Sequence, residues 1–124
     1  MDFELPDLPD AKVAQEQSRV QEEKLKETII ERMEYFILKV NNQIKQAIDS
    51  GKFCCTFSIS GNEIYKILSQ GNEAEYIIFN KFATSLYIVN LSMKKYYTDK
   101  GYSFSCCAYN GYTGEIVDIK VGWN

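Results

Sequence analysis

Four cysteines stand in two adjacent pairs, in Phe53-Cys54-Cys55-Thr56-Phe57 and in Ser105-Cys106-Cys107-Ala108-Tyr109. Such pairs suggest a metal site, a disulfide framework or a redox centre, and the backbone that carries them decides among these. Both lie in runs where apolar residues alternate with polar or small ones, which is strand periodicity. Neighbours on a strand point to opposite faces, so one pair cannot easily set both sulfurs on one metal. Zinc ligands also keep wider spacings, of two to four residues. The pattern therefore predicts no metal site. It places Cys55 and Cys106 inward as small core residues beside Phe57 and Phe104. Cys54 and Cys107 then face outward, which asks for something to cover the outer sheet face.

A second group with chemical potential is Lys94-Lys95-Tyr96-Tyr97-Thr98-Asp99-Lys100, joined by Tyr109, Asn110, Tyr112 and Thr113 further on. Lysines amid tyrosines can pair with phosphate while the rings stack on bases. Lys94, Lys95, Tyr97, Lys100, Tyr109, Asn110, Tyr112 and Thr113 are the expected ligand-binding residues. The same residues also have plain structural readings: Tyr96 and Tyr97 at core-facing helix positions, and the lysines as partners of a helix C-terminus.

Catalytic groups are scarce. The chain has no histidine, the commonest general base. Ser92 and Lys95 lie one helical turn apart, a spacing common by chance, and Glu73 and Glu75 suit a helix start. Gly61, Gly71 and Gly101 are single stops rather than a phosphate-binding glycine loop. The expectation is a protein that is not an enzyme and needs no cofactor.

The elements that position these groups follow from the remaining pattern. A chain of 124 residues with 45% hydrophobic content is sized for one folded domain. Its net charge of −3 argues against duplex DNA as a partner. Residues 1–50 hold 11 acids and 7 bases, a net of −4, and residues 51–124 hold 6 and 7, a net of +1. The acidity thus belongs to the N-terminal arm. The start, MDFELPDLPDAK, is acidic and polar, unlike a targeting signal, and the uncharged run Phe82 to Met93 is too short to span a bilayer. A cytoplasmic protein is expected, away from membranes, and that compartment disfavours stable disulfides.

Met1–Pro9 reads as an extended leader, with Asp10 or a neighbour as a helix N-cap. From Ala11 to Ser50 there is no proline or glycine, and Gly51 sits at a C-cap position. A helix over 11–50 would be on the order of 60 Å long, while a globular body of this size is about 30 Å across. The apolar stripe is clear from Ile29 onward but thins to Val13 and Val20 before Leu25. Residues 1–24 are therefore expected to form a leader and projecting helical arm, and 25–124 a single α+β domain.

After the first strand, Ser60-Gly61-Asn62-Glu63 has the spacing of a capping box and opens a short helix to about Ser69. From Asn72 to Lys100, Ile78, Phe79, Phe82, Leu86, Val89, Met93, Tyr96 and Tyr97 share one face, predicting one long helix. A second stripe, Ile77, Thr84, Ile88 and Leu91, lies nearly opposite and asks for a second partner. Val13, Val20, Ile77, Ile88 and Leu91 are accordingly the expected oligomer interface. A hairpin then closes the chain, Tyr102–Tyr109 and Glu115–Trp123 about Asn110–Gly114. The fold class is α+β: a long N-terminal helix, then a three-stranded antiparallel sheet in β-α-α-β-β order with helices on one face.

In layout, the polar N-terminal helix running into IKQAIDSGKF, then KKYYTDKGYSFS, then a terminal strand closing on VGWN, resembles small accessory proteins of phages and prophages of Gram-positive bacteria. The Thoeris anti-defence sponges are the analogy within that group. The resemblance implies a small oligomer in the host cell cytoplasm that holds a cyclic nucleotide immune signal between subunits without cleaving it. It transfers no site residue, and residues 51–124 contain no arginine. The leading expectation is a non-enzymatic homo-oligomer that sequesters a small anionic, nucleotide-like ligand. The alternative is an inhibitor or adaptor whose acidic helical arm docks on a host protein.

Overall fold

A computed structural model describes residues 7–124. It is an α+β chain with the element order α1 (Ala11–Arg32), α2 (Glu34–Asp49), β1 (Cys54–Ser60), α3 (Gly61–Ser69), α4 (Glu73–Phe82), α5 (Ser85–Val89), α6 (Lys95–Asp99), β2 (Ser103–Gly111) and β3 (Gly114–Gly122). A π-helical segment, Asn90–Lys94, links α5 to α6. The expected leader falls partly on residues 1–6, outside the described residues.

The long helix bends at Met33, whose own N–H still reaches Ile29 O at 3.0 Å. The bend divides two chemistries. Before Leu25 the described part of α1 buries nothing, whereas Ile29, Met33, Ile37, Val40, Ile44 and Ala47 form a buried file along the rest. Recurrence of apolar side chains every three or four residues is what lets α2 lie on the sheet. Arg32 holds the bend in place: its guanidinium donates to Leu68 O at 2.5 Å and to Glu75 Oε2 at 2.8 Å.

The strand order is β1-β3-β2, all antiparallel. Phe57 and Cys106 both stand opposite Ile119, and Cys55 and Phe104 both stand opposite Val121. These side chains share the inner face with Val117, Ile119 and Val121, which are fully buried. The predicted division of the cysteines is observed: Cys54 and Cys107 are exposed, and Cys55 and Cys106 are partly buried. Burial raises the thiol pKa of both inner cysteines above its ordinary value. No described element covers the outer face, so the expected cover is not supplied within one chain.

The single helix expected over 72–100 is broken. Ala83 is extended (φ −152°, ψ 152°), and Thr84 then caps a new helix by accepting from Tyr87 N–H at 3.2 Å. A threonine hydroxyl that can satisfy a free amide competes with helix continuation. The break removes the expected opposite stripe, because α4 and α5 no longer share a phase. Ile77 is exposed, while Ile88 is 0% exposed and belongs to the core rather than to an interface. The N-cap half of the expected capping box is present, with Glu63 N–H donating to Ser60 Oγ at 3.1 Å.

Candidate functional site

The groove between α2 and α6 is built from the residues that these helices leave off the core. Along α2, burial of Ile37, Val40 and Ile44 turns Leu38, Asn41, Asn42 and Lys45 toward α6. The π segment and α6 bury Ser92, Met93 and Tyr97 and so present Lys95, Tyr96 and Lys100. The groove has two compartments that share Leu38, Asn41 and Tyr96.

The upper compartment, about 460 Å³, is mostly apolar, with Ile30, Leu38 and Leu91 on its walls. Its charges are Glu34, Asp99 and Lys95, and Lys95 Nζ sits 2.9 Å from Asp99 Oδ2. That hydrogen bond and the nearby carboxylate charge raise the Lys95 pKa. The lower compartment, about 310 Å³, is lined by Asn42, Lys45, Ile48, Lys100 and Tyr102 besides the shared residues and Tyr97. No carboxylate lines it, and neither Lys45 nor Lys100 makes an ion pair among the described residues. Lys100 Nζ lies 5.3 Å from the Tyr96 ring centroid, a cation–π distance.

Asn41 fixes the tyrosines. Its Oδ1 accepts from Tyr97 OH at 2.8 Å, and its Nδ2 donates to Tyr96 OH at 3.0 Å. Tyr97 is 1% exposed, stacked at 4° on Phe104 with ring centroids 5.9 Å apart. Burial, with the neighbouring Tyr96 and Tyr102, holds its phenol pKa well above the ordinary range. Tyr97 is therefore a support of the groove floor, not a ligand contact as the sequence suggested. Tyr96, expected inward, is the ring that remains available.

The other expected ligand residues separate. Lys94 is exposed beside the groove without lining it. Tyr109, Asn110, Tyr112 and Thr113 lie at the far end of β2, on the order of 25 Å from Lys100 along the strand. Within one chain the two halves of the expected site do not meet. Val13 and Val20 are exposed on the arm, and Leu91 is partly buried in the groove wall. Lys45, Asn41 and Asn42 escaped the sequence reading because they sit on the polar side of an amphipathic helix, where lysine and asparagine are ordinary.

A second cavity, about 590 Å³, opens at the hairpin end and is lined by Asn62, Tyr65, Tyr76, Asn80, Ser85 and Glu115 among others. Most of its polar atoms are committed. Ser85 donates to Glu115, Tyr65 OH donates to Ala83 O at 2.6 Å, and Tyr76 OH donates to Asn62 Oδ1 at 2.7 Å. Ser60 and Thr84 hydroxyls cap α3 and α5. The larger cavity thus spends its polar groups on the fold's own hydrogen bonds, and the lysines of the smaller one have no carboxylate partner among the described residues.

No described helix is long and apolar enough to cross a membrane. No family model, curated protein or solved structure matches the chain.

Proposed function

We propose that this protein is a non-catalytic binder that sequesters a small anionic ligand carrying a flat ring, of the nucleotide class, in the groove between α2 and α6. One observation carries the reading: among the described residues Lys45 and Lys100, neither ion-paired, line the same compartment as Tyr96, and no carboxylate lines it. Two ammonium groups suit a phosphate, the Tyr96 ring suits a base, and the Asn42 amide supplies directional hydrogen bonds. The resemblance in layout to phage accessory proteins makes a cyclic nucleotide signal the first ligand to try. Sequestration leaves the ligand intact.

Calorimetry against cyclic dinucleotides, cyclic ADP-ribose and AMP, with adenosine as the uncharged control, tests this. Binding of an anionic member that weakens with added salt, and recovery of the ligand unchanged after heat denaturation, are expected. No heat with any of them, or equal affinity for adenosine, overturns the reading; turnover of the ligand would make the protein an enzyme instead.

A second reading rests on the described arm. Residues 11–20 of α1 project without a buried residue, which suits a helix that docks on a host protein. Deleting residues 1–24 separates the two: the groove reading expects ligand affinity to persist, and the docking reading expects loss of a host partner.

A further inference from the structure

β2 is an edge strand, with no described strand on its open side. Its nine residues, Ser103–Gly111, include no charge and no proline, and they pair with β3 one to one without a bulge. Every second residue of such a strand turns its N–H and C=O away from the sheet. No backbone group of any other described element bonds to that side. Edges this long usually carry a charge, a proline or a bulge that blocks pairing, and β2 has none of them.

The strand is complementary to itself. Paired antiparallel about its middle residue, it sets Cys107 opposite Cys107 on the outer face and Ser105 opposite Tyr109. On the inner face it sets Phe104 opposite Asn110 and Cys106 opposite Ala108. Large residues meet small ones, and no like charges meet. β1, the other edge, does not share this property, since pairing about its middle sets Phe57 against Phe57 on the packed inner face.

We propose that β2 pairs antiparallel with β2 of a second copy, centred on Cys107, and that the dimer completes each groove with the second copy's hairpin tip. The strand pairing stands by itself, and the shared site rests on the groove reading above. In this register Gly111 of one copy lies opposite Ser103 of the other. The Tyr112-Thr113 turn then falls beside Gly101 and Tyr102 of the second copy, next to Lys100. Tyr112 is fully exposed in its own chain, and here it gains a ligand to stack on. Tyr112, which one chain holds apart from the lysines, comes beside Lys100 of the second copy across the two-fold axis, giving two equivalent sites per dimer.

Sedimentation velocity on the full chain is expected to show a species of twice 14.3 kDa. Cys107→Lys sets two ammonium groups face to face at the axis and is expected to give a monomer with an unchanged circular dichroism spectrum, while Cys107→Ser stays dimeric. In a Cys54→Ser background, a short bismaleimide is expected to couple two chains through Cys107. A wild-type monomer at all concentrations, or a Cys107→Lys dimer, overturns the pairing; a monomer whose β2 takes a strand of another protein does so too. Tyr112→Ala is expected to keep the dimer and to weaken mant-AMP binding roughly tenfold. Unchanged mant-AMP affinity in that variant overturns the shared site. A dimer that takes up no mant-AMP overturns it through the groove reading, and the strand pairing then stands.

Discussion

The two ends of the molecule hold cavities of different kinds. At the hairpin end, hydroxyls, amides and one carboxylate line about 590 Å³, yet Ser85, Tyr65, Tyr76 and Thr84 spend their hydrogen bonds on the fold. At the opposite end, about 310 Å³ between α2 and α6 carries fewer polar groups, and two of them are lysines with no carboxylate partner among the described residues. Size and polarity alone would favour the first. What distinguishes a binding site is polar capacity left over once helix ends and buried phenols are satisfied.

Charge separates the two cavities most directly. Lys45→Glu with Lys100→Glu is expected to weaken binding of an anionic nucleotide more than about a hundredfold, from the loss of two charge-assisted contacts. Asn80→Ala at the other cavity is expected to change it less than about twofold, and calorimetry reads both. Asn41→Ala removes the acceptor of the buried Tyr97 hydroxyl and is expected to cost about 1–3 kcal/mol in urea unfolding, with weaker ligand binding as well. Ser85→Ala is expected to cost about 1 kcal/mol, through the lost bond to Glu115, and to leave ligand affinity alone. Equal loss of ligand affinity at both ends would erase the difference between the two cavities.

The smallest expected effect depends on pH. Burial raises the Tyr97 pKa from its ordinary value of 10.0, so above that pH the unfolded chain releases this proton while the folded chain keeps it. Fewer bound protons in the unfolded state mean stability falls as pH rises. Below pH 10 the contribution is intact; above it the wild type is expected to lose stability more steeply than Tyr97→Phe. Thermal melts across pH 9–11 check the slope, and parallel slopes would refute the assignment.

Strands were readable because alternation needs only two facts, which side chains are apolar and which are not. The same rule put Cys55 and Cys106 inward and their neighbours outward. The break at Ala83 was hidden because Phe82, Leu86, Val89 and Met93 keep helical spacing across it, and a capping hydroxyl at Thr84 leaves no mark on that spacing. The bend at Met33 was hidden in the same way, since its backbone hydrogen bonds continue through it. Of the wall near the end of the last helix only Lys100 was legible: Lys94 lies outside the groove, Lys95 pairs with Asp99, and Tyr97, expected as a contact, is buried while Tyr96 takes the open side. The α2 half was not, because a polar helix face becomes one wall of a groove only when another helix lies alongside.

The wide turn at Asn90–Lys94 sets which tyrosine is which. In an α-helix each step of four residues advances about 40° around the axis, so Val89, Met93 and Tyr97 would spiral out of line. A π turn, wound at more than four residues, cancels part of that advance and keeps the three in one buried file. Removing one residue there would shift the rotational phase of everything after it by about 100°. Tyr96 and Lys100 would swing off the groove together, without any change to their own identities. The register of one irregular turn is therefore a single control over the whole cationic wall, and lengthening or shortening it is the simplest way to rewrite what the groove presents.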